Sequence, residues 1–307
     1  MTRGNIFFGI GFIAVAGAVV LIAWSKYQAS RVAHVWIGGD VHYGATTPRI
    51  DVPREGVGIV NLEGPVVDGD ASKSEEKRLV NAMAGLRALA ATGVRVVGIA
   101  NNHARDVEPN ETSKYAAAAK LTPAGGPKEG PLGIAGFASI ETPAGRMIVV
   151  AYEVDSLSDQ VMQKEIESAA REGDFLVATF HVNGPPSYIP RPRLRDAVEI
   201  ALKAGALVVA AHGTHAVGPV ERRPDGKVIA WGLGNLLFAC DCSREKEGAI
   251  LELRIDRDKN VKASIVPVEA GLDGAPARVD PEASLMFDLF ASIKSSPLER
   301  DGHRAHF

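Results

Sequence analysis

Five apolar runs with strand character each end in a side chain of the metal-ligating kind. Ile37 leads into Gly38-Gly39-Asp40-Val41-His42, Val57 to Leu62 ends at Glu63, and Val94 to Ala100 ends at Asn101-Asn102-His103. Phe175 to Phe180 ends at His181, and Ala206 to Ala211 ends at His212-Gly213-Thr214-His215. In an open α/β sheet the strand C-termini share one edge, so residues distant in sequence converge on one crevice there. The pattern therefore predicts a single site rich in carboxylate and imidazole.

The order of the remaining signals is that of an α/β protein. Leu79, Met83, Leu86 and Leu89 recur at helical spacing, and Gly93 stops that helix before Val94. Asp159 to Glu172 gives a second helix before the strand at Phe175. A third, with Leu194, Val198, Ala201 and Leu202 on one face, starts after Pro192 and ends at Gly205. Beyond His215 the texture changes to short alternating runs at Lys227 to Trp231, Ala249 to Ile255 and Val261 to Val266. They are separated by turn residues such as Pro224-Asp225-Gly226, which predicts antiparallel strands. Residues 270–280 read as a linker into a last amphipathic helix carrying Leu285, Met286, Leu289 and Phe290. Pro123 to Pro131 is the longest loop candidate and is expected over the site. The expected division is 1–32 as a membrane anchor and linker, 33–270 as the main domain, and 271–307 as a C-terminal linker and helix.

Ile6 to Trp24 is a charge-free run of 19 residues. As a helix it would be about 28 Å long, against a hydrocarbon core of about 30 Å. A cleavable signal has an apolar core of about 7 to 15 residues and a small-x-small cleavage site. Here the run is longer and Trp24-Ser25-Lys26-Tyr27 follows, so we read a retained single-pass transmembrane helix. Arg3 lies on one side of it and Lys26 and Arg31 on the other, so the flanking charges leave its orientation open.

The net charge of −3, with no basic stripe, argues against a nucleic-acid partner. Cys240 and Cys242 flank one aspartate. Pairing would close a small, strained ring, so they are read as two unpaired side chains near a loop. Pro190-Arg191-Pro192-Arg193-Leu194-Arg195 opens a helix, where free N–H groups and guanidinium side chains would attract phosphate or carboxylate. Arg193 and Arg195 are the candidate substrate-binding residues, with a solvated basic turn as the plain alternative.

Gly39-Asp40, Asn61-Leu62-Glu63-Gly64, Asn101-Asn102-His103 with Asp106, His181, His212-x-x-His215 and Leu233-Gly234-Asn235 stand in an order that resembles the bacterial capsule-synthesis proteins of the CapA type. The resemblance covers roughly Val35 to Phe238. That family is associated with poly-γ-glutamate capsules, and its fold is similar to the calcineurin-like metallophosphatases. The resemblance implies a four-layer αββα sandwich of metallophosphatase type, here preceded by the transmembrane helix. It also implies that Asp40 and His42 supply ligands to one metal, that Glu63 stands at the bridging position, that Asn102 is an amide ligand, and that His181, His212 and His215 are the remaining imidazoles. His103 matches the position that stabilises the transition state or protonates the leaving group, and Asp106 accompanies it as the second catalytic candidate.

Imidazole with carboxylate suits zinc, manganese or iron, and one or two such divalent ions are the expected cofactor. Glu63 is one methylene longer than the aspartate of the resemblance, which leaves the number of ions open. The expected function is a membrane-anchored, metal-dependent hydrolase or transferase acting outside the cytoplasm on an anionic surface polymer such as poly-γ-glutamate. The alternatives are a non-catalytic assembly factor in a capsule-synthesis complex and a metallophosphoesterase acting on a phosphoester.

Overall fold

The computed structural model describes residues 31–71, 78–125, 136–156 and 158–307. The apolar run Ile6–Trp24 lies outside them, as does most of the proline-rich segment that was expected over the site. Among the described residues no helix is long and apolar enough to cross a membrane.

Two sheets carry the fold. In chain order the elements of three or more residues begin with β1 (Ala33–His42), β2 (Val57–Leu62), α1 (Gly85–Ala91), β3 (Val94–Gly98), α2 (Thr112–Ala118) and β4 (Thr122–Ala124). There follow β5 (Ala138–Thr142), β6 (Gly145–Glu153), α3 (Asp159–Ala170), β7 (Phe175–His181), α4 (Pro192–Lys203) and β8 (Ala206–His212). The rest are β9 (Val220–Arg222), β10 (Val228–Ala230), β11 (Asn235–Phe238), β12 (Glu247–Ile255), β13 (Val261–Glu269), β14 (Ala277–Val279), α5 (Ala283–Ser292), β15 (Glu299–Asp301) and β16 (Arg304–His306). The first sheet runs β15-β16-β13-β12-β1-β2-β3-β4, and β11 lies beside the end of β1. The second runs β9-β10-β8-β7-β6-β5.

Strands β1 to β4 are mutually parallel, and so are β6, β7, β8 and β10. Parallel strands covered on both faces read as unbroken apolar runs, and β7 is buried at every position. The inner faces of the sheets meet in a central core, with Val35, Ile37, Ile59 and Val96 from the first and Val149, Ala151, Val177, Val208 and Ala210 from the second. Leu86, Leu89 and Ala116 cover the outer face of the first sheet from α1 and α2. Met162, Ile166, Leu194, Val198 and Ala201 cover the second from α3 and α4. The layers are thus helix, sheet, sheet, helix.

Several expectations change. The helix read from Leu79 begins only at Gly85, because Asn81–Ala82 is extended and pairs with Val66–Val67. Helix α2 has no counterpart in the sequence reading: only Thr112 and Ala116 of it are buried, too few for an apolar period to show. Pro123 lies in edge strand β4, paired with Val97, and not in a loop. Residues 270–280 include β14 on β13, and α5 sends Phe287 and Phe290 into the central core, so the chain after residue 270 is woven into the first sheet. The cysteine reading is also corrected, since Cys240 and Cys242 form a disulfide. A tight turn, in which Cys242 N–H faces Cys240 Sγ at 3.2 Å, brings the Cα atoms to 5.1 Å, within the range such bridges need.

Candidate metal centre

The strand C-termini of both sheets deliver their polar residues to one place. Asp40 comes from the end of β1, where Gly39 lets the backbone of Gly234 approach closely: a Cβ at residue 39 would lie 2.1 Å from the Gly234 carbonyl oxygen. That approach lets Asp40 N–H donate to Gly234 O at 2.9 Å and sets Asn235 opposite Asp40 in the β1–β11 register. Glu63 follows β2, Asn101 to His103 follow β3, His181 ends β7 and His212 ends β8.

The carboxylate of Asp40 is fully buried and held by two donors: Asn61 Nδ2 to Oδ1 at 2.8 Å and Gly213 N–H to Oδ2 at 2.9 Å. His212 Nδ1 lies 3.8 Å from Asp40 Oδ1, and His215 Nδ1 lies 3.7 Å from Oδ2. Across the site Glu63 Oε1 is 3.9 Å from His181 Nε2 and 4.0 Å from His215 Nε2. Ligand atoms of Asp40, Glu63 and His215 all lie within 4.8 Å of one another. His181 Nε2 donates to Asn102 Oδ1 at 2.7 Å, while its Nδ1 faces Asn61 Nδ2 at 3.2 Å. The ring nitrogen beside Glu63 is thus the protonated one, and it must lose that proton before it can donate to a metal.

Burial has its ordinary electrostatic consequences here. It lowers His181 to about 3 and also lowers His212. Burial raises the Glu63 carboxyl to about 7, and the neighbouring Asp40 carboxylate pushes it the same way. For His103 and His215 burial opposes the charge. The hydrogen bond to Asp106 and the charge of Glu63 outweigh it at His103, and the Glu63 and Asp40 charges outweigh it at His215, so both are raised.

The residues fit a divalent transition metal. Both ring nitrogens of His212 and Oε2 of Glu63 are buried without hydrogen-bond partners. Each orphaned group costs about 1–3 kcal/mol unless something engages it. Carboxylate with imidazole is the donor set that suits zinc, manganese or iron. Asp40, Glu63, Asn102, His181, His212 and His215 are the residues brought together.

His42 is held by groups outside that set. Its Nε2 donates to the Val80 carbonyl at 3.0 Å, its ring packs against Phe238, and burial lowers it to about 4. His103 and Asp106 are brought to the site as a pair, Nδ1 to Oδ2 at 2.7 Å, and Leu79 N–H holds the same carboxylate oxygen at 2.6 Å. Arg193 and Arg195 do not reach the site. Arg193 pairs with Asp159 of α3 at 2.6 Å, and Arg195 lies over the Trp231 ring and donates to Pro190 O.

The cavity above the cluster has a volume of about 470 Å³ and is lined by Glu63, Asn102, His103, His181, His215 and Glu245, with the Asn183–Pro186 loop and Cys242 on its rim. Glu245 and Ser243 went unseen in the sequence, because nothing in their spacing marks them. Asn235, in contrast, stood in the Leu-Gly-Asn motif.

Fold and site together define a layered α/β protein with a buried carboxylate–histidine cluster. The fold is similar to the crystal structure of a novel phosphatase from Mycoplasma pneumoniae, at a TM-score of 0.50 and 14% identity over 82% of this chain and 95% of that one. The family model for the bacterial capsule synthesis protein PGA_cap matches residues 13–240, and the chain belongs to that family. A relative, the PGA biosynthesis protein CapA of Bacillus subtilis (strain 168), is 24% identical over 104 residues, which is 34% of this chain and 27% of that protein. The matched region thus spans about a quarter of the relative's length.

Proposed function

We propose that this capsule-synthesis family member is a metal-dependent hydrolase or transferase acting on an anionic surface polymer of the poly-γ-glutamate kind. The observation that carries the reading is the placement of one Glu63 oxygen within about 4 Å of both His181 Nε2 and His215 Nε2, in a cavity lined also by His103, which is bonded to Asp106 behind it. Asp40, Glu63 and His215 would hold a first divalent ion, and His181, Asn102 and His212 would take part in a second.

Bound there, such an ion would polarise the scissile group and lower the pKa of a coordinated water. The chain supplies the rest. Asp106, fixed by Leu79 N–H, orients His103 by accepting from its Nδ1. With its affinity for a proton raised, His103 presents Nε2 as a general acid toward a leaving group in the cavity. The buried carboxylates of Asp40 and Glu63 bind the cation and orient it.

The test is metal analysis of the protein after reconstitution with zinc, manganese and iron, followed by turnover assays on γ-glutamyl polymers and on phosphoesters. Metal binding with cleavage or transfer of γ-glutamyl polymer supports the reading. Turnover of phosphoesters alone moves the substrate class, and bound metal without turnover points to an assembly role.

The same proposal places Ile6–Trp24 across the membrane and the body outside the cytoplasm. A protease added to intact spheroplasts should digest the body. A protected body reverses the orientation and removes the surface role.

A further inference from the structure

We propose that Asn235, Ser243 and Glu245 form a one-directional hydrogen-bond chain that fixes His215 as its Nδ1–H tautomer and so presets Nε2 to bind a divalent transition metal. The proposal rests on the reading of the cluster as a metal site, but its central claim concerns where one proton sits in the metal-free protein.

The direction of the chain follows from a group that cannot be reversed. Asn235 is fully buried, and its Nδ2 lies 3.1 Å from the backbone carbonyl of Glu245, which only accepts. The amide nitrogen is therefore on that side, where it also donates to Ser243 Oγ at 2.8 Å. Ser243 in turn donates to Glu245 Oε2 at 2.6 Å, so the chain ends on a carboxylate. Asn235 Oδ1 is left facing His215 Nδ1 at 2.9 Å. An amide oxygen accepts, so Nδ1 carries a proton, and in the neutral imidazole Nε2, 4.0 Å from Glu63 Oε1, carries the lone pair.

Two features of the fold keep this arrangement in place. His215 is held at φ 49°, a left-handed conformation that packing must enforce in a non-glycine residue. The Cys240–Cys242 turn, in which Ser243 N–H bonds back to Cys240 O at 3.4 Å, delivers Ser243 and Glu245 beneath Asn235. His181 is the contrast within the same site, since Asn61 leaves its proton on the nitrogen that faces Glu63. Partners of this outer kind set the tautomer and ring orientation of metal-ligating histidines, and losing one costs on the order of 10- to 100-fold in affinity.

The test has two arms. In the first, long-range ¹H–¹⁵N spectra of the metal-free protein report each histidine tautomer, with the His215 signals identified by their loss in His215→Gln. Nδ1–H is expected at His215 in the wild type, and Asn235→Leu should abolish that preference. An Nε2–H tautomer in the wild type, or a pattern unchanged in Asn235→Leu, overturns the proposal.

In the second arm, competition with a chromophoric chelator measures zinc affinity. Asn235→Leu should weaken it about 10- to 100-fold. Ser243→Ala should weaken it about fivefold, as for one neutral hydrogen bond, and Ser243→Thr should restore it. The Ser243 pair keeps the question decidable if Asn235→Leu fails to fold. Wild-type affinity in both Asn235→Leu and Ser243→Ala removes the chain from metal binding. A wild type that takes up no metal defeats the metal reading alone, and the tautomer spectra still decide the chain.

Discussion

The backbone N–H of Gly213 donates to Oδ2 of Asp40 at 2.9 Å, and this bond joins the end of β8 in the second sheet to the end of β1 in the first. It exists because residue 213 has φ +80° and no side chain: a Cβ there would lie 2.6 Å from His181 Nε2 and 2.6 Å from the Val182 carbonyl oxygen. The glycine of His212-Gly213-Thr214-His215 is therefore the residue that lets the turn pass over His181 and clamp Asp40. With Asn61 on the other oxygen, the carboxylate cannot turn away from His212 and His215.

Gly213→Ala should accordingly damage both fold and site. Forcing an alanine into this conformation costs on the order of 1–3 kcal/mol, and the contact with His181 displaces a ligand candidate. Chemical unfolding should show a lower midpoint, and reconstituted protein should hold less metal. Wild-type stability together with wild-type metal content would mean that the turn relaxes freely and that the clamp has no importance.

Asp40→Ala and His212→Ala probe the centre directly. The first removes the carboxylate between the two sheets and leaves Asn61 Nδ2 and Gly213 N–H without their acceptor. The second removes an imidazole whose nitrogens engage no protein group through a hydrogen bond. Elemental analysis should find metal content sharply reduced in both. Because the His212 side chain has no hydrogen bonds to lose, His212→Ala should cost the metal-free protein less stability than Asp40→Ala, and the reverse order would contradict this account of the cluster.

Much of this site was legible because each ligand candidate closes an apolar strand, and parallel strands buried on both faces announce themselves as unbroken runs. β7 and β8 are examples, each ending on its histidine. What could not be read locally depended on partners brought by tertiary structure. Arg193 looked free to meet an anion until α3 placed Asp159 beside it. Asp40 and His42 looked alike as ligands, yet the register shift between Asp40 and Val41 accompanies a His42 ring that engages Val80. Ser243 and Glu245 are tied to the site through Asn235, and no periodicity records a hydrogen bond.

His103→Asn separates chemistry from metal binding. The substitution keeps a polar group beside Asp106 but removes the proton that His103 could give. Metal content should stay near that of the wild type, while turnover falls by about 10²- to 10⁴-fold, the range for a lost general acid. Unchanged turnover would take His103 out of the reaction, and lost metal would make it a ligand.

The pH dependence of the metal-free protein follows from groups whose burial pulls in opposite directions. His42 and His181 are lowered to about 4 and about 3, chiefly by burial, so the stability they contribute is present above the unfolded value of about 6.5 and is lost as pH falls toward those values. Glu63 has the opposite sign. Its folded value of about 7, raised first by burial and then by Asp40, exceeds the ordinary carboxyl value of 4.5, so its contribution is complete below about pH 4.5 and is lost as pH rises to about 7. Glu63→Gln deletes the second trend and leaves the first. It also removes a charge that raises His103 and His215, whose contributions likewise fade as pH rises. In chelator, denaturant titrations from about pH 4.5 to about pH 7 should therefore show the variant gaining stability steadily relative to the wild type. A difference that stays constant across this window would mean that Glu63 is ionised at its low end, and that the buried carboxylate is paired in the metal-free protein more strongly than its surroundings imply.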